Sequence, residues 1–122
     1  MAVGSLSVRE ERNGAVVVVR LLGQHDAFTQ TGLSEQLEEA IERRRGVVVD
    51  LADATFMDSS TVHALDAAAA KAREAGVGFA LRLGAGAIVR KTLEISGTLE
   101  QIPWSDSLED AVELAAAVSG SR

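Results

Sequence analysis

Cysteine is absent from the sequence. That excludes disulfides, thiolate catalysis and sulfur-ligated zinc or iron–sulfur centres, and it agrees with a cytosolic address. Tyrosine is also absent, and only three Phe and one Trp are present. The core must therefore be aliphatic, and no aromatic platform for stacking bases or sugars is available. Positive charge is in short supply: 12 basic against 18 acidic residues leave a net charge of −6. That sign opposes non-specific binding to nucleic acid or to an anionic membrane surface. The longest basic run, Arg43-Arg44-Arg45, closes a predicted helix. No stretch reaches the about 18 consecutive apolar residues that crossing a bilayer requires, so no membrane insertion is expected. Met1 to Glu11 has no charged region followed by an apolar core, so no secretory signal is read there.

What is present describes a globular chain. At 122 residues, with 47% hydrophobic and 25% charged side chains, it has the size of one domain. Leu6 to Glu10 alternates apolar and polar, the mark of a strand with one wet face. Asn13-Gly14 is a hairpin signal because both residues tolerate positive φ. Val16 to Leu22 then reads as a second, more buried strand, antiparallel to the first. Gly23 to Phe28 reads as a loop, and Thr31 to Arg45 as a helix with Leu33, Leu37, Ala40 and Ile41 inward. Gly46 is placed as its cap. Glu35, Glu38, Glu39 and Glu42 fall on the solvated side of that helix.

Gly46 to Leu51 is short, apolar and β-branched, as a central parallel strand is. A helix follows Asp58, with Val62, Leu65, Ala68, Ala69 and Ala72 inward and Gly76 as its stop. Val77 to Leu83 reads as a fourth strand. Ala87 to Ser96 reads as a short helix with Ile88, Leu93 and Ile95 as core contacts. Leu99 to Ile102 reads as a brief fifth strand ended by Pro103. Ser107 opens a last helix that carries Leu108, Val112, Ala115 and Val118, and Ser119 to Arg122 reads as a frayed end. The order β-β-α-β-α-β-α-β-α implies a single α/β domain over 1–122, with its core over about 6–118. A hairpin enters β-α-β crossovers, giving a mixed sheet of about five strands with about four helices.

The richest stretch for chemistry runs from Asp50 to Ser60. A buried strand leaves through a loop, and Asp58-Ser59-Ser60 lands on the start of a helix. Asp58 or Ser59 suits the N-cap, where a side-chain oxygen accepts a free backbone N–H. The same place favours an added phosphate, because unpaired N–H groups and the helix dipole attract negative charge. Ser60, His63 and Asp58 together invite a Ser-His-Asp reading, but nothing in the sequence supplies an oxyanion hole, so no enzyme is expected. His25, Asp26 and Asp58 lack a recognised metal spacing. Gly84-Ala85-Gly86-Ala87 lacks the Gly-Lys-Ser/Thr ending of a phosphate loop and reads as a strand-to-helix turn. No cofactor is expected.

The chain as a whole resembles the STAS family, in particular the bacterial anti-sigma factor antagonists. The resemblance rests on Asp50-Leu51, Phe56-Met57 and Asp58-Ser59-Ser60 in order, on Asp26 just past the second strand, and on Leu93-Glu94-Ile95-Ser96-Gly97. It implies a phosphorylation-switched interaction domain in cytoplasmic transcription control. The second serine, Ser60, would be the phosphoacceptor. Asp26, Asp58, Ser59, Ser60, Thr61 and His63 would meet the partner. That partner would be an anti-sigma factor with serine kinase activity, which brings its own ATP and magnesium. Unphosphorylated, the chain would bind it and release the sigma factor; phosphorylated, it would let go. One departure stands beside the site. Where the family usually continues with small residues such as Gly-Leu-Gly, this sequence has Thr61-Val62-His63. Bulk there obstructs a kinase cleft or demands one shaped for it, and so keeps open an unphosphorylated binding module, a stress-sensing scaffold or lipid-transport subunit, or a small-molecule or nucleotide sensor.

Overall fold

The computed structural model describes residues 4–119, and side chains over residues 4–117. Five strands lie in the order β1 (Ser5–Glu11), β2 (Val16–His25), β3 (Gly46–Met57), β4 (Phe79–Arg82) and β5 (Trp104–Ser105). β1 and β2 are antiparallel, and every later pair is parallel. Five helices connect and cover them: α1 (Ala27–Glu42), α2 (Ser59–Ala75), α3 (Arg90–Ile95), α4 (Thr98–Gln101) and α5 (Leu108–Ser119). The hairpin turns through a single 3-10 turn, Arg12–Gly14, in which Arg12, Asn13 and Gly14 all have positive φ.

Sequence order equals spatial order in this sheet, and that decides the layering. Each right-handed crossover steps in the same direction, so α1, α2, α3 and α4 collect on one face. The strand residues sort between the faces with period two. Val17, Val19, Leu21, Val47, Val49 and Leu51 pack under the crossover helices with Leu33, Leu37, Leu65 and Leu93. Val16, Val18 and Val48 face the other way, against Ala111, Val112 and Ala115 of α5. α5 lies so close that a Cβ on Gly78 would stand 2.0 Å from the carbonyl oxygen of Ala115. Only glycine fits there.

Several local expectations shift. β2 and β3 both run past their apolar stretches, because Leu22 to His25 and Asp53 to Met57 pair with each other through irregular register. The stretch expected as a loop over 23–28 is thus the end of a strand and the first turn of α1, which starts at Ala27 rather than Thr31. Arg44, not Gly46, takes the left-handed position after α1, and Gly46 already belongs to β3. Gly76 does cap α2, at φ 75°. Leu99 to Ile102 is not a strand. Thr98–Gln101 is one helical turn, and the strand is Trp104–Ser105, beyond the proline. Of the three expected core contacts near α3, Leu93 is buried, whereas Ile88 and Ile95 are exposed and Val89 takes the inward place. α5 opens as expected, with the Ser107 hydroxyl accepting the Asp110 N–H at 3.2 Å, and it continues to Ser119. The side chain of Val118 and residues 120–122 lie outside the described residues.

Candidate functional site

β2 and β3 end side by side, with His25 opposite Met57. The next residue of each chain segment is an aspartate, so Asp26 and Asp58 emerge together from the carboxyl ends of two adjacent parallel strands. A direct backbone link joins the two turns: the Asp58 N–H donates to the His25 carbonyl at 3.1 Å. In open α/β sheets this end, beyond the carboxyl ends of the strands, is where ligands and partners are met.

Both aspartates are N-caps in extended conformation. The Asp26 carboxylate accepts the Phe28 N–H at 2.9 Å, and the Thr29 hydroxyl accepts the Asp26 N–H at 3.2 Å. That reciprocal pattern is a capping box. The Asp58 Oδ1 is more heavily used. It accepts the Ser60 hydroxyl at 2.7 Å, the Thr61 N–H at 3.1 Å and the Thr61 hydroxyl at 3.2 Å. The Ser60 hydroxyl above all, with the Thr61 donors, holds the Asp58 carboxyl below the usual aspartate range against the opposing effect of burial. Charge-assisted bonds of this kind are the stronger hydrogen bonds.

The serines diverge from there. Ser60 is half-buried and lines a cleft between α1 and α2, with Gln30, Ser34, Glu38 and His63 around it. Ser59 is exposed and lines a different cleft, between α2 and α3, with Asp66, Thr92 and Ile95. His63 is exposed and stands on the crest, lining both. Thr61 does not reach either surface. It is wholly buried, and its hydroxyl is spent on Asp58, so its place among the expected surface contacts is corrected to one beneath them. The reason is helical phase: Thr61 begins the inward stripe that Val62 and Leu65 continue.

The triad geometry is not assembled among the described residues. Asp58 touches the serine hydroxyl rather than an imidazole. No three metal-ligating side chains gather among the described residues.

His25, expected in a loop over 23–28, is the last residue of β2. It is wholly buried. Its Nε2 lies 3.1 Å from the Leu22 carbonyl, and its Nδ1 lies 3.1 Å from the Thr29 hydroxyl. A carbonyl can only accept, so Nε2 carries the proton in that contact and Nδ1 is free to accept from Thr29. The ring is a post that holds the first turn of α1 onto the end of β2. Large apolar side chains stand exposed on the segments that follow these strands: Phe28 in the first turn of α1 at 94%, Ile88 before α3 at 67% and Ile95 at the end of α3 at 78%. Apolar area of this kind is used in interaction surfaces.

A model of the STAS domain family matches residues 7–111. An anti-sigma F factor antagonist of Paenibacillus polymyxa is 38% identical over 58 residues, 46% of this chain and 50% of that protein. The chain thus matches about half the length of that curated relative. Two solved structures are similar over nearly the whole of both chains. An anti-sigma factor antagonist from Mycobacterium paratuberculosis superposes with a TM-score of 0.79 at 23% identity, covering 93% of this chain and 94% of that one. The phosphorylated form of the Bacillus cell fate determinant SpoIIAA gives 0.65 at 20% identity, covering 89% and 97%. At such identities these two likenesses speak for the fold.

Proposed function

The chain belongs to the STAS domain family, and on that footing we propose that it is an anti-sigma factor antagonist whose binding is switched at Ser60. The observation that carries this reading is the Ser60 hydroxyl, half-buried at the start of a 17-residue helix and held at 2.7 Å by the Asp58 carboxylate. A hydroxyl whose proton points to a fixed carboxylate turns its lone pairs toward an incoming phosphoryl group. The partner is an anti-sigma factor, in keeping with the names of the Paenibacillus relative and of the structural neighbours, and a switch at Ser60 requires of it serine kinase activity. It supplies ATP and magnesium, and this chain acts as a cytoplasmic binding regulator rather than a catalyst. Asp26, Asp58, Ser59, Ser60 and His63 bound the docking surface. The exposed Phe28 and Ile88 extend it with apolar area.

Phosphorylation brings about −1.5 to −2 charges to Ser60. That charge arrives beside a carboxylate that already holds the cap, and burying it unpaired against a partner is costly. Release follows. The test is calorimetry against the cognate kinase-type anti-sigma factor. Ser60→Ala retains binding and takes no phosphate. Ser60→Asp binds at least tenfold more weakly, about 1.4 kcal/mol. Equal affinities for wild type, Ser60→Ala and Ser60→Asp, with no phosphate mapped to Ser60 after incubation with ATP and partner, would refute the switch. His63 on the crest between the clefts would then mark an unmodified binding module.

A further inference from the structure

The cleft between α2 and α3 holds an acid that the described chain answers with a single long hydrogen bond. Asp66 lies two turns along α2 from Ser59, on the same side of the helix. Its Oδ1 is shielded from bulk solvent and has no hydrogen-bond partner among the described residues. Its Oδ2 meets only the Thr98 hydroxyl, at 3.5 Å, which is long for an O–H···O bond. Thr98 has a closer partner in the Ser96 hydroxyl at 2.8 Å. No ion pair reaches Asp66 among the described residues, and no lysine or arginine lines its cleft. One long bond to one oxygen leaves this carboxylate short of the acceptor partners it can take.

The space beside it is about 350 Å³, roughly ten water volumes. Hydroxyls of Ser59, Thr92 and Ser96 stand around the rim, and Val62 and Ile95 form apolar walls. Ile95 is 78% exposed and belongs to neither core cluster. We propose that this cleft receives an arginine side chain of the docking partner, anchored on the part of Asp66 that remains exposed in the cleft rather than on the shielded Oδ1. A planar guanidinium presents several donors in a fixed fork, pairs with a carboxylate and neighbouring hydroxyls together, and tolerates apolar contact on its faces. A lysine ammonium, compact and strongly hydrated, suits such a slot less well. The occupant is a partner's side chain because the cleft opens beside Ser59 and the exposed Ile95. The net charge of −6 also draws cationic protein surfaces toward this one. Buried arginines are recurrent anchors at the centres of interfaces. The inference rests on the reading that this end of the sheet docks a protein, and it adds which chemistry the partner must bring.

Two arms test it. In the first, the isotope-labelled full chain is titrated with N-acetyl-arginine methylamide and followed by NMR. Saturable shifts are expected at Asp66, Thr92 and Ser96. The lysine analogue binds more weakly, and the uncharged citrulline analogue leaves the cleft unmoved. Asp66→Asn, which keeps the shape and removes the charge, weakens the arginine probe at least tenfold. Thr92→Phe, which fills the mouth from an exposed position, does the same without touching Asp66. In the second arm, both variants lower affinity for the kinase-type anti-sigma factor at least tenfold, with unchanged melting temperatures. Shifts that are absent, or that survive Asp66→Asn, overturn the site. Probe binding with partner affinity unchanged by both variants makes the occupant a free guanidine, and overturns the docking assignment while leaving the Ser60 switch intact. If no anti-sigma factor binds wild type, the proposed function falls, and the docking assignment falls with it; the probe arm alone then decides whether the cleft takes a guanidinium.

Discussion

The starts of α1 and α2 are the same device built twice, and the difference between them locates the function. Each is an aspartate that leaves the end of a parallel strand and caps the next helix. At Asp26 the device is closed. The carboxylate takes the Phe28 N–H, the Thr29 hydroxyl returns the bond to the Asp26 backbone, and a buried histidine holds Thr29 from behind. At Asp58 three donors converge on one oxygen, two of them from the buried Thr61 and the third a half-exposed serine hydroxyl. Capping needs only one backbone donor satisfied. The surplus at Asp58 therefore fixes a hydroxyl at the surface, something the Asp26 cap does not do. Two identical capping residues, one backbone bond apart, serve one structural and one chemical end.

Removing each carboxylate should expose that asymmetry. Asp58→Ala leaves the N–H and the hydroxyl of Thr61 buried without an acceptor, and the expected loss is about 2 kcal/mol in denaturant unfolding. Asp26→Ala loses one exposed acceptor while Thr29 still serves the cap, so about 1 kcal/mol is expected. Equal losses at the two positions would mean that the extra bonds at Asp58 contribute nothing to stability. A larger loss at Asp26 would reverse the assignment of roles.

A smaller effect separates the serine from the cap. Ser60→Ala removes a donor and orphans no buried group, so it should cost under about 1 kcal/mol. It should nevertheless move the Asp58 carboxyl up toward the ordinary aspartate value, because the Ser60 hydroxyl is the largest cause of its depression. In wild type the folded value lies below the unfolded one. Asp58 thus contributes stability that is fully present above the ordinary value of about 3.9, and that stability is lost as pH falls through the lower folded value. In Ser60→Ala that acid-sensitive part shrinks. Carboxyl carbon shifts of Asp58 followed from pH 6 down to pH 2, within roughly two units of the ordinary value, read both proteins. Superimposable titrations would show that the 2.7 Å contact does not persist in solution.

The element order as far as β4, the hairpin, the α2 cap and stop, and the aliphatic stripes were legible because each is governed by residues within a few positions of one another. Asp58 announced a helix start by its own chemistry, and Gly76 announced its end. The misread segments are those whose state depends on a distant neighbour. Gly23 to His25 and Asp53 to Met57 lie beyond the apolar runs that marked the strands, and they extend because each finds the other across the sheet. Ile88 and Ile95 have the composition of core residues and the exposure of contact residues, because the short α3 turns Val89 and Leu93 inward instead.

The same division runs through the site. Local sequence determined that two serines follow a capping aspartate, since a cap is satisfied by the first helical turn. Only the tertiary structure decided that Ser59 and Ser60 open into different clefts, that Thr61 is hidden beneath them, and that His25 stands buried between the two caps. The physical reason is that a helix sets the angle between its own residues, whereas the groove each residue faces is made by the helices packed on either side, here α1 and α3, whose positions are fixed by the direction in which the sheet is wound.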